Sequence, residues 1–76
     1  MTAQQCREAR TLLGWTRESL AQAVRCSRDT VSYAEAGTGR PKPRTLAAIR
    51  SALEAAGVEF TNGEAPGVRL RATKAG

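Results

Sequence analysis

TRESLAQAVRCSRDTVSYAEAG, residues 16–37, contains two short helix patterns with almost nothing between them. Leu20, Ala21 and Val24 mark the apolar face of the first, and Val31 with Ala34 mark that of the second. Thr16 and Ser27 stand just ahead of the two runs, where a hydroxyl oxygen can accept from a backbone N–H that the first helical turn leaves unpaired. The joint Val24-Arg25-Cys26-Ser27 has room only for a tight helix-turn-helix corner. Ala21 fits that corner, because helices crossing over so short a turn leave little space for a large side chain.

Upstream, Thr2-Ala3-Gln4-Gln5 reads as a capping box in which Gln5 reaches back to the Thr2 N–H. Cys6, Ala9 and Leu13 follow at helical spacing with Leu12 beside them, and Gly14 can close the helix in a left-handed cap. Trp15 reads as an apolar lid over the junction of the first two helices. Downstream, Gly37 stops the second helix of the pair, and Thr38-Gly39-Arg40-Pro41-Lys42-Pro43-Arg44 forms a basic loop punctuated by glycine and proline. Pro43 suits the first position of a further helix, where its missing N–H costs nothing. Leu46, Ile49, Leu53 and Ala56 line one face of that helix, and Gly57 ends it.

Beyond Gly57 the period changes to two. Val58 and Phe60 alternate with Glu59 and Thr61, and Val68 and Leu70 with Arg69 and Arg71, as in two half-buried strands. Asn62-Gly63 and Pro66-Gly67 supply turn chemistry between them. A lone two-stranded ribbon is marginal in water, so it either folds back on its own helices or pairs with the same ribbon of a second subunit. The second arrangement suits a two-fold dimer and makes Val58, Phe60, Val68 and Leu70 the expected dimerisation residues. The expected boundaries are a helical unit over 1–57, a β segment over 58–72 and a frayed tail over 73–76.

At 76 residues with a formal net charge of +5 and a pI near 10.3, this is one small basic domain. It should be drawn to polyanions, nucleic acid first among them, and a partner subunit would supply burial that so small a core lacks. Nothing resembles a signal peptide, and no apolar run approaches the roughly 20 residues that span a bilayer, so a cytoplasmic protein without membrane contact is expected. Two cysteines and no histidine argue against a zinc site. Cys6 reads as core, Cys26 lies in the turn, and no disulfide between them is expected in a reducing compartment. With no histidine, no phosphate-cradling glycine loop and seven scattered acids, no nucleophile–base pair or paired-carboxylate site can be assembled. The chain is therefore read as a non-enzyme without cofactor or small-molecule ligand.

With Val31 and Ala34 buried, the third helix presents Arg28 and Asp29 in its first turn, then Ser32 and Tyr33. In a DNA-reading helix the N-terminal residues enter the major groove, where arginine can bond guanine in bidentate fashion and aspartate can accept from a cytosine amino group. Arg17, Arg40, Lys42 and Arg44 add cations that can flank the same groove. Thr16 and Ser27 cap helix N-termini whose N–H groups can receive a phosphate oxygen.

Arg10, Leu20-Ala21, Ser27-Arg28, Val31 and Glu35-x-Gly37, followed by a proline-bearing loop and an apolar helix through Leu53, resemble the lambda repressor-like, Cro-type helix-turn-helix domain of the xenobiotic-response-element class. The resemblance covers about Gln5 to Val58 and lies in the spacing as a whole. It implies an all-α fold of four to five helices, here with a short C-terminal β-strand or hairpin, that binds double-stranded DNA and regulates transcription, as a repressor, in homodimeric form. It further implies a structural ion pair between Arg10 and Glu35, base contact at Arg28, Asp29, Ser32 and Tyr33, phosphate or base contact at Arg17, and backbone contact around Arg40, Lys42 and Arg44. Arg17 departs from the family's frequent glutamine, which turns a neutral role into a charged one. Arg25 replaces the turn glycine of many members, so it has to take a left-handed conformation at about 1 kcal/mol or bend the turn differently. The alternative class is an antitoxin-like or protein-interaction module in which DNA binding is secondary.

Overall fold

The computed structural model describes residues 1–61 and 67–70. Four helices, α1 (Ala3–Leu13), α2 (Arg17–Val24), α3 (Arg28–Ala36) and α4 (Pro43–Ala55), are followed by strands β1 (Val58–Thr61) and β2 (Gly67–Leu70). Asn62-Gly63 and Pro66, expected in the turn, and the tail over 73–76 lie outside the described residues.

Local chemistry sets most of the helix ends. Thr2 caps α1 through its hydroxyl, which accepts from the Gln5 N–H at 3.0 Å, while the Gln5 side-chain oxygen accepts from the Thr2 N–H at 2.8 Å. The Thr16 hydroxyl accepts from the Ser19 N–H, and the Ser27 hydroxyl from the Thr30 N–H. Pro43 opens α4, which has no side-chain cap. Gly14 and Gly37 close α1 and α3 in left-handed conformations. At the end of α2 the same conformation falls to a residue with a side chain: Arg25 has φ 60° and ψ 46°. Of the two options open at that turn, the chain takes the strained one, and the Cys26 N–H bonds back to the Ala21 carbonyl at 3.0 Å.

Cys6, Ala9, Leu20, Ala21, Val31, Ala34, Ile49, Leu53 and Val58 form the buried core, with Leu13, Trp15, Val24, Leu46, Phe60 and Val68 half-buried around it. Full burial of side chains such as Leu20, Ile49 and Leu53 contributes about 2–3 kcal/mol each. Leu12, read as lying beside this face, is instead largely exposed.

β1 and β2 pair antiparallel, Val58 opposite Leu70 and Phe60 opposite Val68. Strand alternation puts those four apolar residues on one face, and the ribbon packs against α1 and α4 of its own chain. The side chain of Val58, expected at an interface between subunits, therefore lies wholly inside its own core. Phe60 and Val68 are half-covered and Leu70 is exposed. Gln5, buried in the first turn of α1, joins the ribbon to the helices: its amide nitrogen donates to the carbonyls of Thr61 at 3.1 Å and Gly67 at 2.9 Å. One residue pair along the ribbon, the Arg50 guanidinium lies 5.4 Å from the centre of the Phe60 ring.

Candidate nucleic-acid interface

Glu35, in the last turn of α3, holds the helix pair in place. Its carboxylate, 2% exposed, accepts from Arg10 Nε at 2.5 Å and from Arg10 Nη2 at 3.2 Å. Arg17 Nε, from the first residue of α2, donates to the same carboxylate at 3.2 Å. Arg10 also donates to the Trp15 carbonyl at 2.9 Å, and Arg7 to the backbone carbonyl of Glu35. One buried acid of α3 is thereby tied to α1, to the connection beside Trp15 and to the start of α2. With two capped helix starts on either side of the Arg25 turn, this fixes how α3 projects.

The outward side of α3 carries Arg28, Asp29 and Tyr33 in exposed positions, with Ser32 half-buried. Arg28 is not free: its Nη1 donates to the Glu18 carboxylate at 3.0 Å, with both side chains more than half exposed. Glu18 sits in the first turn of α2, where a bond from its own backbone N–H and the bond from Arg28 hold its carboxyl below the ordinary carboxylate range. Arg10, Trp15, Thr16, Arg17, Glu18 and Arg28 line a shallow depression between the starts of α2 and α3. Thr16, Arg17 and Arg28 thus come together there, with Arg10 and Glu18 supplying the other charges of its lining.

Tyr33 belongs to a second cluster at the other end of α3. It shares a cleft with Thr38, Arg40 and Pro41. A Cβ added to Gly39, whose φ is +73°, would come within 2.4 Å of the Tyr33 ring, so the loop runs directly against that ring. Arg40 follows with φ 48°. Arg40, Lys42 and Arg44 are all exposed and have no carboxylate partner among the described residues. Ser27 remains at its cap, exposed and bonded to Thr30.

Sequence reasoning missed three of these relationships. Glu18 as the partner of Arg28 is recoverable only as opposite charges in the first turns of two helices that meet at a tight corner. Arg17, expected as a groove-facing cation, spends its Nε on Glu35 while its side chain stays half exposed. Gln5, expected only as a cap, also holds the ribbon.

Cys6 and Cys26 are both free thiols. Burial, with the nearby Glu35 charge adding to it, pushes Cys6 up to about 11, and burial also raises Cys26. Among the described residues no group of three or more cysteines, aspartates or glutamates could hold a metal ion, and no helix is long and apolar enough to cross a membrane.

The family described as helix-turn-helix domain matches residues 2–61, from the cap of α1 to the end of β1. No curated protein matches the chain.

Proposed function

The chain belongs to the helix-turn-helix domain family, whose fold supports a DNA-binding regulator, and from that premise we propose a sequence-specific transcriptional repressor that binds double-stranded DNA as a homodimer. In this proposal α3 lies in the major groove. Arg28 and Asp29 read base edges, Ser32 and Tyr33 complete the reading face, and Thr16, Arg17, Ser27, Arg40, Lys42 and Arg44 take the phosphates. The observation that carries it is the exposed Arg28–Asp29 turn on a helix that Glu35, two turns further along, fixes to α1 and α2. A reading surface needs that rigidity, because bidentate base recognition tolerates little error in approach. Domains of this family are normally non-enzymatic, and the proposal assigns no catalysis and no cofactor. It places the chain in the cytoplasm.

A two-fold dimer would set its α3 helices roughly 34 Å apart on a palindromic operator. The proposal gives residues 1–57 the DNA contacts and the segment from 58 to 72 the dimer contact. Within that segment Leu70 and the open strand edges, rather than the enclosed Val58, would meet the second subunit. Selection of bound sequences from random duplex DNA, with sedimentation of the same sample, tests both parts. A palindromic consensus and a dimer are expected, and recovery of unselected sequence would overturn the reading.

One observation favours a second reading, an interaction module in which DNA is secondary. Leu12 and Leu70 are 44% and 50% exposed, and Leu12 lines a depression with Val68. Under that reading Leu12→Ser and Leu70→Ser would abolish capture of a heterologous protein and leave self-association unchanged.

A further inference from the structure

We propose that Glu18 is the positioning residue for Arg28, holding its guanidinium in the orientation in which it reads a base. This rests on the DNA-reading role of α3 proposed above. An exposed arginine on a free stem samples many rotamers, and fixing it on a base edge costs that freedom at the moment of binding. The Glu18 carboxylate takes one hydrogen of Arg28 Nη1 at 3.0 Å. That leaves the second Nη1 hydrogen, both on Nη2 and the one on Nε, enough for a bidentate contact with guanine O6 and N7.

The anchor itself is set before DNA arrives. Glu18 lies in the first turn of α2 and Arg28 in the first turn of α3, and the two helices are locked together by the Arg25 turn and by the Arg17–Glu35 ion pair at the other end of α3. Glu18 serves the start of α2 through its own backbone N–H, which does not require Arg28, and an exposed ion pair adds little to folding. A carboxylate at the mouth of a DNA-facing depression also repels phosphate, which weakens binding to every sequence. Glu18 therefore gives up general affinity and gains discrimination at one base pair.

The test compares the full chain with Glu18→Ala, Glu18→Gln, Arg28→Ala and the Glu18→Ala/Arg28→Ala pair on an operator library at fixed salt, with thermal melts to establish that each is folded. Glu18→Ala should reduce discrimination about tenfold at the one base pair that Arg28→Ala also flattens, while affinity for unrelated duplexes rises. Glu18→Gln keeps an acceptor oxygen without the charge and should retain part of the preference. In the double variant, Glu18→Ala should change the preference no further. If Glu18→Ala raises affinity evenly and leaves that base pair within twofold, or if Gln behaves as Ala does, Glu18 is only a repelling charge and the positioning role falls. A wild-type chain with no preference at any base pair would instead remove the DNA-reading role, and this one with it.

Discussion

The Nε of Arg10 lies 2.5 Å from the Oε2 of Glu35, on a carboxylate only 2% exposed. Removing one member of a buried pair leaves the other charge without its partner, at about 3–5 kcal/mol. Glu35→Ala should lower stability by that amount in urea unfolding, since it strips both Arg10 and Arg17 of their acceptor. Arg17→Ala should cost less than about 1 kcal/mol, because Arg17 is half exposed and Arg10 still neutralises the acid. A Glu35→Ala chain within 1 kcal/mol of wild type would show that the clamp does not hold the helices.

Gln5 uses all of its amide: the oxygen on the Thr2 N–H, the nitrogen on the Thr61 and Gly67 carbonyls. Gln5→Leu keeps the bulk and removes the donors, leaving two carbonyls unpaired at about 1–3 kcal/mol. Amide exchange should accelerate in β1 before it does in α2 or α3. Gln5→Glu should be worse at neutral pH, because a carboxylate would face two carbonyl oxygens, and should recover in acid as protonation restores a donor.

Gln5 also shows where reading the sequence stops. Its capping role was legible because cap chemistry acts over three residues, as it did for Thr2, Thr16, Ser27 and Pro43. Its bonds to Thr61 and Gly67 span 56 and 62 residues, a distance over which no local pattern operates. The core face of α4 was legible from its period, whereas the exposure of Leu12 depended on where the ribbon came to rest. At the candidate site, the exposed positions of α3 followed once Val31 and Ala34 were buried. The Arg10–Glu35 pair followed from the family resemblance, whereas Arg17 on Glu35 and Arg28 on Glu18 did not, since the remaining acids and arginines admit several pairings until the helices are placed.

Cys6 has no exposed surface, and its thiol is pushed from 9.0 up to about 11. A folded-state value above the unfolded one means that the unfolded chain binds fewer protons between those pH values, so stability is intact below pH 9 and declines as pH rises through 11. The loss attributable to Cys6 should be on the order of 2–3 kcal/mol. Denaturant midpoints between pH 8 and 11 should therefore fall more steeply for wild type than for Cys6→Ala. At neutral pH a thiol reagent should modify half-buried Cys26 well before Cys6, which should react at the rate of unfolding.

Arg25 adopts φ 60° in the turn between α2 and α3, a conformation costing roughly 1 kcal/mol for a residue with a Cβ. Arg25→Gly should raise stability by about 0.5 kcal/mol, because the relieved strain exceeds the extra freedom glycine adds to the unfolded chain. Arg25→Ala keeps the strain and should not stabilise. If Ala and Gly have the same midpoint, strain at this turn is not what limits stability.

Arg28 and Lys42 are both exposed cations, and DNA binding should separate them by the kind of contact each makes. Arg28 projects from the first turn of the reading helix beside Asp29, where a base edge is within reach, so Arg28→Ala should relax preference at one base pair by about 1–3 kcal/mol. Lys42 caps the start of α4, with Arg40 in the loop before it and Arg44 in the first turn of the helix, and it has no carboxylate partner among the described residues. A phosphate is then its natural partner. Lys42→Ala should weaken every sequence alike and reduce the slope of log affinity against log salt by about 1, since one fewer counterion is released on binding. The salt series separates the two roles because base contacts contribute little to that slope. Equal effects of the two variants on specificity would mean that α3 is not the element that reads the bases.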